Sequence, residues 1–220
     1  MPSAFPWYPP ILQRLRGQFE SGPTRDAAHD LSHVLRVAGL AAEIATEGGA
    51  DAETCVAAAL LHDLVYLPKN HPDSSQTAEL AAAQVPEWCA PFPTLAAKSE
   101  SIAHSVAAHS FSGGIAPRTL EAQVVQDADR LEALGAIGIA RTFATGGSFG
   151  GGLWHPQDPW AESRELDDKA WSLDHFPKKL LKLADAMNTA AGRRRAAARE
   201  RVIREFLAAL REELGAGDPS

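Results

Sequence analysis

Apolar residues recur at three- and four-residue intervals along most of the chain, and this spacing is the period of an amphipathic α-helix. The clearest case begins near Ser32 and runs to Thr46, where Gly48-Gly49 stops it. Almost no stretch shows the alternation of apolar and polar residues that is typical of a strand. The pattern therefore predicts an all-α fold. Helices are predicted over residues 11–21, 32–46, 52–67, 77–85, 94–111 and 119–144, with two more inside 173–214.

The chain has 220 residues, which is long enough for one sizeable hydrophobic core. We predict a single-domain helical bundle over residues 25–212. Residues 1–24 begin with a segment rich in proline and aromatic side chains, and we expect them to form an arm and a first helix that pack on the bundle. Residues 213–220 are predicted to be a polar tail.

The predicted third helix begins after Asp51, a suitable N-cap residue, and is apolar on all sides, so we expect it at the centre of the fold. It nevertheless carries His62 and Asp63 near its end. A buried carboxylate is costly unless a cation, strong hydrogen bonds or a proton compensates it. A bound metal ion would compensate the charge and use the imidazole as well. The alternative is a hydrogen-bonded His-Asp pair that only orders the core.

Net charge and cysteine content argue against several classes of partner. The formal net charge is -7, so neither a nucleic-acid polymer nor an anionic membrane is expected to bind. Cys55 and Cys89 lie in no metal-binding spacing, and we expect both to be reduced. Neither a signal-peptide pattern nor an apolar run long enough to span a membrane occurs in the sequence. We therefore expect a cytoplasmic protein.

Three ordered motifs resemble the HD-domain superfamily of metal-dependent phosphohydrolases. They are HVLRV at 33–37, LLHDL at 60–64 and DADRLEALGAIGIAR at 127–141, and HFPKKLLKLADAMNT at 175–189 is similar to one bacterial branch. The resemblance implies a helical bundle in which an H…HD…D set binds a divalent metal ion. Carried over residue by residue, it implies that the metal ligands are His33, His62, Asp63 and Asp129.

Asp127 competes with Asp129 for the last ligand position because both lie in DAD. The resemblance favours Asp129, which precedes a long polar residue and then an apolar one, and it gives Asp127 the task of orienting a ligand or water. His29-Asp30 is an earlier HD pair, and we interpret it as capping and ordering the start of the second helix. A nitrogen and oxygen ligand set suits Mn, Fe, Ni, Co, Zn or Mg, and the sequence leaves the choice among them open.

Hydrolysis of a phosphate compound also needs cations around the transferring group. The residues expected to bind the substrate phosphate are Arg36, Arg130, Lys179 and Lys182. Of the two histidines in SIAHSVAAHSF, His109 is expected to line the site and to assist catalysis with Asp127, and His104 is the weaker candidate. Lys179 and Lys182 are three residues apart, which places them on one face of a predicted helix.

The chain departs from related nucleotidases one turn after the HD pair. Those enzymes often carry an acidic or imidazole residue at this place, whereas this chain has Tyr66. The identity of the general acid therefore stays open. Lys69, His71 and Asp73 in the following loop are candidates, and the loop itself is a candidate lid.

The superfamily resemblance implies a metal-dependent phosphohydrolase that acts on a small phosphorylated compound, most often a nucleotide, and the buried charges fit this chemistry. Three alternatives stay open. A di-iron oxygenase would need both His104 and His109 as ligands. The other two are a non-catalytic nucleotide or metal sensor, and a structural protein in which the buried pair only fixes the core. The sequence also leaves open whether the protein is a homodimer.

Overall fold

The computed structural model describes residues 2–23, 25, 30–67, 71–110 and 113–215. Within them the fold is all-α, as predicted, with no strand and a single isolated bridge between Gly152 and Trp171. None of these helices is long and apolar enough to cross a membrane. The α-helices are α1 (Tyr8–Ser21), α2 (Leu31–Gly48), α3 (Ala52–Leu61), α4 (Thr77–Cys89), α5 (Pro93–Ala96), α6 (Ser99–Ala108), α7 (Leu120–Leu131), α8 (Gly135–Ser148), α9 (His175–Lys178) and α10 (Ala190–Leu214).

The described helices fall into two compact units. The first comprises residues 1–129 and 188–192, and the second comprises residues 130–187 and 193–220, each apart from the residues not described. The domain boundaries predicted after residues 24 and 212 stay predictions. The candidate metal ligands all belong to the first unit.

The core of the first unit is built around α3, as its uniformly apolar sequence predicts. Residues 54–61 of this helix are all buried, and the helix packs against both α2 and α6. Trp7, ahead of α1, is buried and donates from its indole nitrogen to the Glu53 carboxylate at 2.8 Å. Cys55 and Cys89 are both buried and free. The unit therefore surrounds α3 with apolar contacts and fixes the position of its carboxyl end.

The helix-start and helix-stop signals of the first unit act as predicted. Asp30 caps α2 by accepting from the backbone N–H of His33 at 2.8 Å. Asp51 caps α3 and accepts from the Thr54 hydroxyl at 2.7 Å. Gly49 ends α2 in the left-handed region at φ +75°, where a residue without Cβ has no steric penalty. Each cap satisfies backbone groups that the helix itself cannot pair.

Two predicted helices end earlier than the hydrophobic pattern indicates. The helix predicted over 52–67 stops at Leu61, and His62 and Asp63 lie in the turn that follows. The helix predicted over 119–144 is in fact two, α7 and α8, because Gly135 adopts φ +71° at their junction. The prediction was wrong in both places for the same reason: an apolar run continues through a turn when the turn itself is buried.

The predicted boundaries also shift elsewhere, and the helix predicted over 77–85 extends to Cys89. The helix predicted over 94–111 divides into α5 and α6, and His109 follows the last residue of α6. Helix α1 begins at Tyr8, with prolines in its first turn, where their missing N–H groups cost nothing. The C-terminal region has only short helical turns before α10 begins at Ala190.

The second unit has its own aromatic core. The rings of Phe143, Phe176 and Phe206 lie with their centroids 5.9–6.0 Å apart. Asp174 is buried and accepts from both terminal nitrogens of Arg164, at 2.6 and 2.8 Å. This bidentate pair closes the long glycine-rich segment between α8 and α9 onto its own unit.

Candidate metal centre

Three helices of the first unit bring four polar side chains to one place. His33 lies in the first turn of α2, His62 and Asp63 follow α3, and Asp129 lies near the end of α7. The two imidazoles are 1% exposed. The Asp30 cap fixes the first turn of α2, which carries His33, and the end of α3 places His62 and Asp63 beside it.

The donor atoms of the four side chains lie close together. The Nε2 atom of His33 is 3.3 Å from Nε2 of His62, 3.3 Å from Oδ1 of Asp129 and 3.7 Å from Oδ2 of Asp63. The Nε2 atom of His62 is 3.5 Å from Oδ2 of Asp63 and 3.9 Å from Oδ1 of Asp129. Metal–ligand bonds of about 2.0–2.2 Å place neighbouring ligand atoms about 2.8–3.6 Å apart in octahedral or tetrahedral sites, and the spacings observed in the cluster are at or slightly above the upper part of this range. The cluster therefore has the spacing and donor chemistry to hold a metal ion.

The ring of His62 is fixed in the orientation that a metal ligand requires. Its Nδ1 lies 2.7 Å from the carbonyl of Ala59, to which it donates, so that Nε2 carries the lone pair facing the cluster. Burial lowers the pKa of His62 to about 4, although the charge of Asp63 acts in the opposite direction. The imidazole is therefore neutral at neutral pH, which is the form that binds metals.

Asp129 is held in its ionised form. Burial alone would raise its pKa, but a hydrogen bond from His33 and the charges of His33, His62 and His109 lower it below the ordinary value of an aspartate. A carboxylate that stays charged in this cluster supplies the negative field that a divalent cation needs.

His109 lies on the other side of His62. The centroids of the two rings are 4.8 Å apart, and Nδ1 of His109 lies 2.6 Å from the carbonyl of Val106, to which it donates. In the described part of the chain, His62, Asp63 and His109 form a second group with ligand atoms within 4.8 Å of one another. His104 belongs to neither group, and its Nε2 accepts from the backbone N–H of Arg118 at 3.1 Å.

Asp127 belongs to neither group of potential metal ligands and contacts other residues, although it lies only two residues before Asp129. Its Oδ1 accepts from the N–H and the side-chain amide of Asn188, and its Oδ2 accepts from the N–H and the hydroxyl of Thr189, at 2.8–2.9 Å. A carboxylate has about four acceptor positions, and all four are used. Two residues on a helix are about 200° apart, so the neighbours of Asp129 and Asp127 necessarily differ. These contacts give Asp127 a structural task, and its catalytic task stays a prediction.

The predicted phosphate-binding cations are distributed over both units. Arg36, one turn after His33 on α2, donates to the Ser32 hydroxyl at 2.8 Å. Arg130, Lys179 and Lys182 belong to the second unit. The two lysines are exposed, and a 3₁₀ turn joins them, with the N–H of Lys182 donating to the carbonyl of Lys179 at 3.1 Å.

The loop candidates for a general acid receive little support from the described residues. Lys69 lies outside them, and so does His29 of the earlier HD pair. His71 and Asp73 are exposed, and the Nδ1 of His71 accepts from the N–H of Asp73 at 3.1 Å. This contact is local and does not connect the loop to the cluster.

Gln126 is a residue near the site that the sequence analysis missed. It is buried, it donates from Nε2 to the carbonyl of Ala108 at 2.7 Å, and its Oε1 accepts from the side chain of Asn188 at 2.9 Å. Ala108 immediately precedes His109, so Gln126 joins the end of α6 to α7, which carries Asp129. The sequence does carry a signal for it: a glutamine directly after Val124-Val125 lies on an apolar helix, where a buried amide needs hydrogen-bond partners.

The low pKa of His62 determines how the stability of the metal-free protein should depend on pH. Because this pKa is about 4 in the folded protein and 6.5 in the unfolded chain, the unfolded chain binds more protons between these values. We expect the contribution of His62 to the free energy of unfolding to be constant above pH 6.5. Below that pH the free energy of unfolding should decrease by up to about 1.4 kcal/mol per pH unit. Urea denaturation across this interval measures the slope. His62→Gln is the control, and an unchanged slope in that variant would contradict the assignment.

Known proteins share both the sequence pattern and the fold. The family model described as the HD domain matches residues 30–134, which contain all four clustered side chains. The uncharacterized protein YpgQ of Bacillus subtilis is 35% identical over 192 residues, which cover 86% of this chain and 85% of that protein.

Solved structures agree with these sequence matches. The crystal structure of Bacillus subtilis YpgQ in complex with ADP aligns with a TM-score of 0.70 over 96% of each chain, with 29% identity in the structural alignment. An HD-superfamily hydrolase from Bacillus thuringiensis aligns with a TM-score of 0.73 and 31% identity, over 94% of this chain and 96% of that one. With its H…HD…D cluster at the junction of three helices, the chain belongs to the HD-domain superfamily.

Proposed function

We propose that the protein is a divalent-metal-dependent phosphohydrolase whose substrate is a nucleotide or a similar small phosphorylated compound. The observation that carries the proposal is the cluster in which the Nε2 atoms of two histidines lie 3.3 Å apart and 3.3–3.9 Å from carboxylate oxygens of two aspartates. Membership of a superfamily that includes hydrolases supports the reaction class. The crystallised complex of YpgQ with ADP supports the nucleotide.

In this proposal the metal ligands are the clustered side chains of His33, His62, Asp63 and Asp129. A divalent ion bound by them supplies Lewis acidity toward a phosphate oxygen and makes water a better nucleophile at neutral pH. His62 contributes a neutral ring whose orientation the Ala59 carbonyl fixes. The two aspartates balance the charge of the ion in a mostly apolar surrounding.

His109 is the side chain best suited to handle a proton beside the ligands. Its Nδ1 donates to the Val106 carbonyl, which leaves Nε2 to exchange a proton with water or with the leaving group. Its ring lies edge-on to His62 at 4.8 Å. Arg36 on α2 is the cation of the first unit that we propose for the substrate phosphate, and Arg130, Lys179 and Lys182 stay predictions for the same task.

The alternatives differ in their support. A di-iron centre would need His104, but the Nε2 atom of that residue already accepts from the backbone of Arg118. A sensor that binds nucleotide without turnover uses the same cluster as the enzyme and is distinguished by product formation. A purely structural pair at His62 and Asp63 would not explain why donor atoms of His33 and Asp129 lie 3.3–3.9 Å from those of the pair.

The decisive experiment is a metal and substrate screen on the purified protein. We expect release of phosphate from ADP, or of pyrophosphate from ATP, in the presence of Mn, Co, Ni, Mg or Zn and none after chelation. His62→Gln is the matched control and should lose the metal-dependent turnover. Tight nucleotide binding with no product under any metal would replace the enzyme by a sensor. Failure to bind any metal would leave the structural role of the pair as the better explanation.

A further inference from the structure

We propose that Arg25 is a positioning residue that holds Asp63 in place for the metal ion, and this proposal rests on the metal centre of the proposed function. No ligand motif contains Arg25. Its guanidinium donates from one terminal nitrogen to the backbone carbonyl of Asp63 at 2.9 Å and from the other to the carbonyl of Leu64 at 3.3 Å. It therefore binds the backbone of a candidate ligand and of the next residue.

Arg25 binds backbone carbonyls just beyond the C-terminal end of α3. Helix α3 ends at Leu61, and Asp63 lies beyond it in a turn closed by the N–H of Leu64 donating to the Leu61 carbonyl at 3.3 Å. Carbonyls at and after a helix C-terminus need partners from elsewhere. A guanidinium at this end is also favourable for the helix dipole. Arg25 thus acts as a cap supplied by a distant part of the chain.

The guanidinium is itself held by two aromatic rings. It lies over the ring of Phe19 in α1, 4.0 Å from the centroid, and 5.3 Å from the centroid of Tyr66. Such contacts of a planar cation with rings orient the cation as well as stabilise it. Tyr66 stands where related nucleotidases often have an acid or an imidazole. In this chain the ring of Tyr66 contacts Arg25, so the tyrosine has a structural role at this position.

The consequence for the metal centre follows from the direction of the Asp63 side chain. The Oδ2 atom of Asp63 lies 3.7 Å from His33 Nε2 and 3.5 Å from His62 Nε2, and this geometry depends on the backbone of a residue outside the helix. Residues that hold a ligand in place typically contribute about 10–100-fold to metal affinity. Fixing the Asp63 and Leu64 carbonyls is such a contribution.

The test compares three variants by calorimetric Mn²⁺ binding and by the electron paramagnetic resonance spectrum of the bound ion. Arg25→Met should weaken Mn²⁺ binding by about 10–100-fold and alter the spectrum. Arg25→Lys should restore only part of the affinity, because an ammonium lacks the planar fork of donors and the stacking surface that the guanidinium presents to Phe19. Gln18→Met is the matched control: Gln18 donates to the Leu64 carbonyl at 2.9 Å but not to that of Asp63, and its loss should change the affinity less than about threefold by this argument.

Equal Mn²⁺ affinity and spectrum in Arg25→Met and wild type would overturn the proposal, and so would equal losses in Arg25→Met and Gln18→Met. If Arg25→Met does not fold, Phe19→Leu, which removes the stacking ring and keeps the arginine, should show a smaller loss in the same direction. Neither measurement needs turnover. Wild-type protein that binds Mn²⁺ but releases no product from ADP or ATP with any of the metals would contradict the proposed function alone, whereas wild-type protein that binds no metal overturns both.

Discussion

Asp129→Asn is expected to reduce metal affinity by at least about 100-fold and to abolish metal-dependent turnover, because it removes a charged ligand from the centre. The Oδ1 atom of Asp129 lies 3.3 Å from His33 Nε2 and 3.9 Å from His62 Nε2, so an amide there loses both the charge and an acceptor in the cluster. Elemental analysis of the purified variant, followed by calorimetric titration with Mn²⁺, measures the effect.

The neighbouring aspartate is the natural comparison for this variant. Asp127→Asn changes the same functional group two residues away, and its contacts involve Asn188 and Thr189 instead of the histidines. Folded Asp127→Asn protein should retain its metal. If Asp129→Asn keeps near-stoichiometric metal, or if only Asp127→Asn loses it, Asp127 and not Asp129 is the metal ligand.

Asp127→Ala is expected to cause the largest loss of stability, about 3–5 kcal/mol of the free energy of unfolding. The carboxylate is fully buried and accepts four hydrogen bonds from Asn188 and Thr189. Its removal leaves buried donors unpaired, and each unpaired donor is costly. The hydroxyl of Thr189 also accepts from the N–H of Gly192 in the first turn of α10, so the same change weakens the cap of that helix. Urea denaturation of the metal-free variant measures the loss.

A change at Gly192 tests the same contact from the other side. A Cβ atom at this position would lie 2.3 Å from Oδ2 of Asp127, so Gly192→Ala must displace the carboxylate, at about 1–3 kcal/mol. Gly39 in α2 provides the control, since no atom lies within 4 Å of a Cβ placed there, and Gly39→Ala should be neutral or stabilising. Equal effects at the two glycines would mean that Asp127 does not depend on close packing against Gly192.

The sequence predicts the helices well wherever a local signal exists. Asp30, Asp51 and Gly49 are read from their own chemistry, and the structure confirms each as a cap or a stop. Boundaries that depend on tertiary burial are predicted poorly. The apolar run after Leu61 looks like further helix, because periodicity does not distinguish a buried turn from a buried helix.

The residues of the candidate site likewise fall into those that the sequence predicts and those that only the structure identifies. The ordered H…HD…D motif identifies His33, His62, Asp63 and Asp129 from the sequence alone, and the fold brings their donor atoms together. Arg25 and Gln126 escape notice because their importance lies in contacts to backbone carbonyls 38 and 18 residues away. No local pattern encodes such a contact.

The two buried thiols have a practical consequence. Burial raises the pKa of Cys55 to about 12, with the charges of Glu121 and Asp51 adding to the effect, and it raises the pKa of Cys89 to about 11. The thiolate is the form that attacks an alkylating reagent, so neither side chain is modified while it stays buried. Both cysteines of the chain belong to the first unit, as the metal centre does. The rate of alkylation therefore records the opening of this unit, and its slowing by an added metal ion measures binding without any knowledge of the substrate.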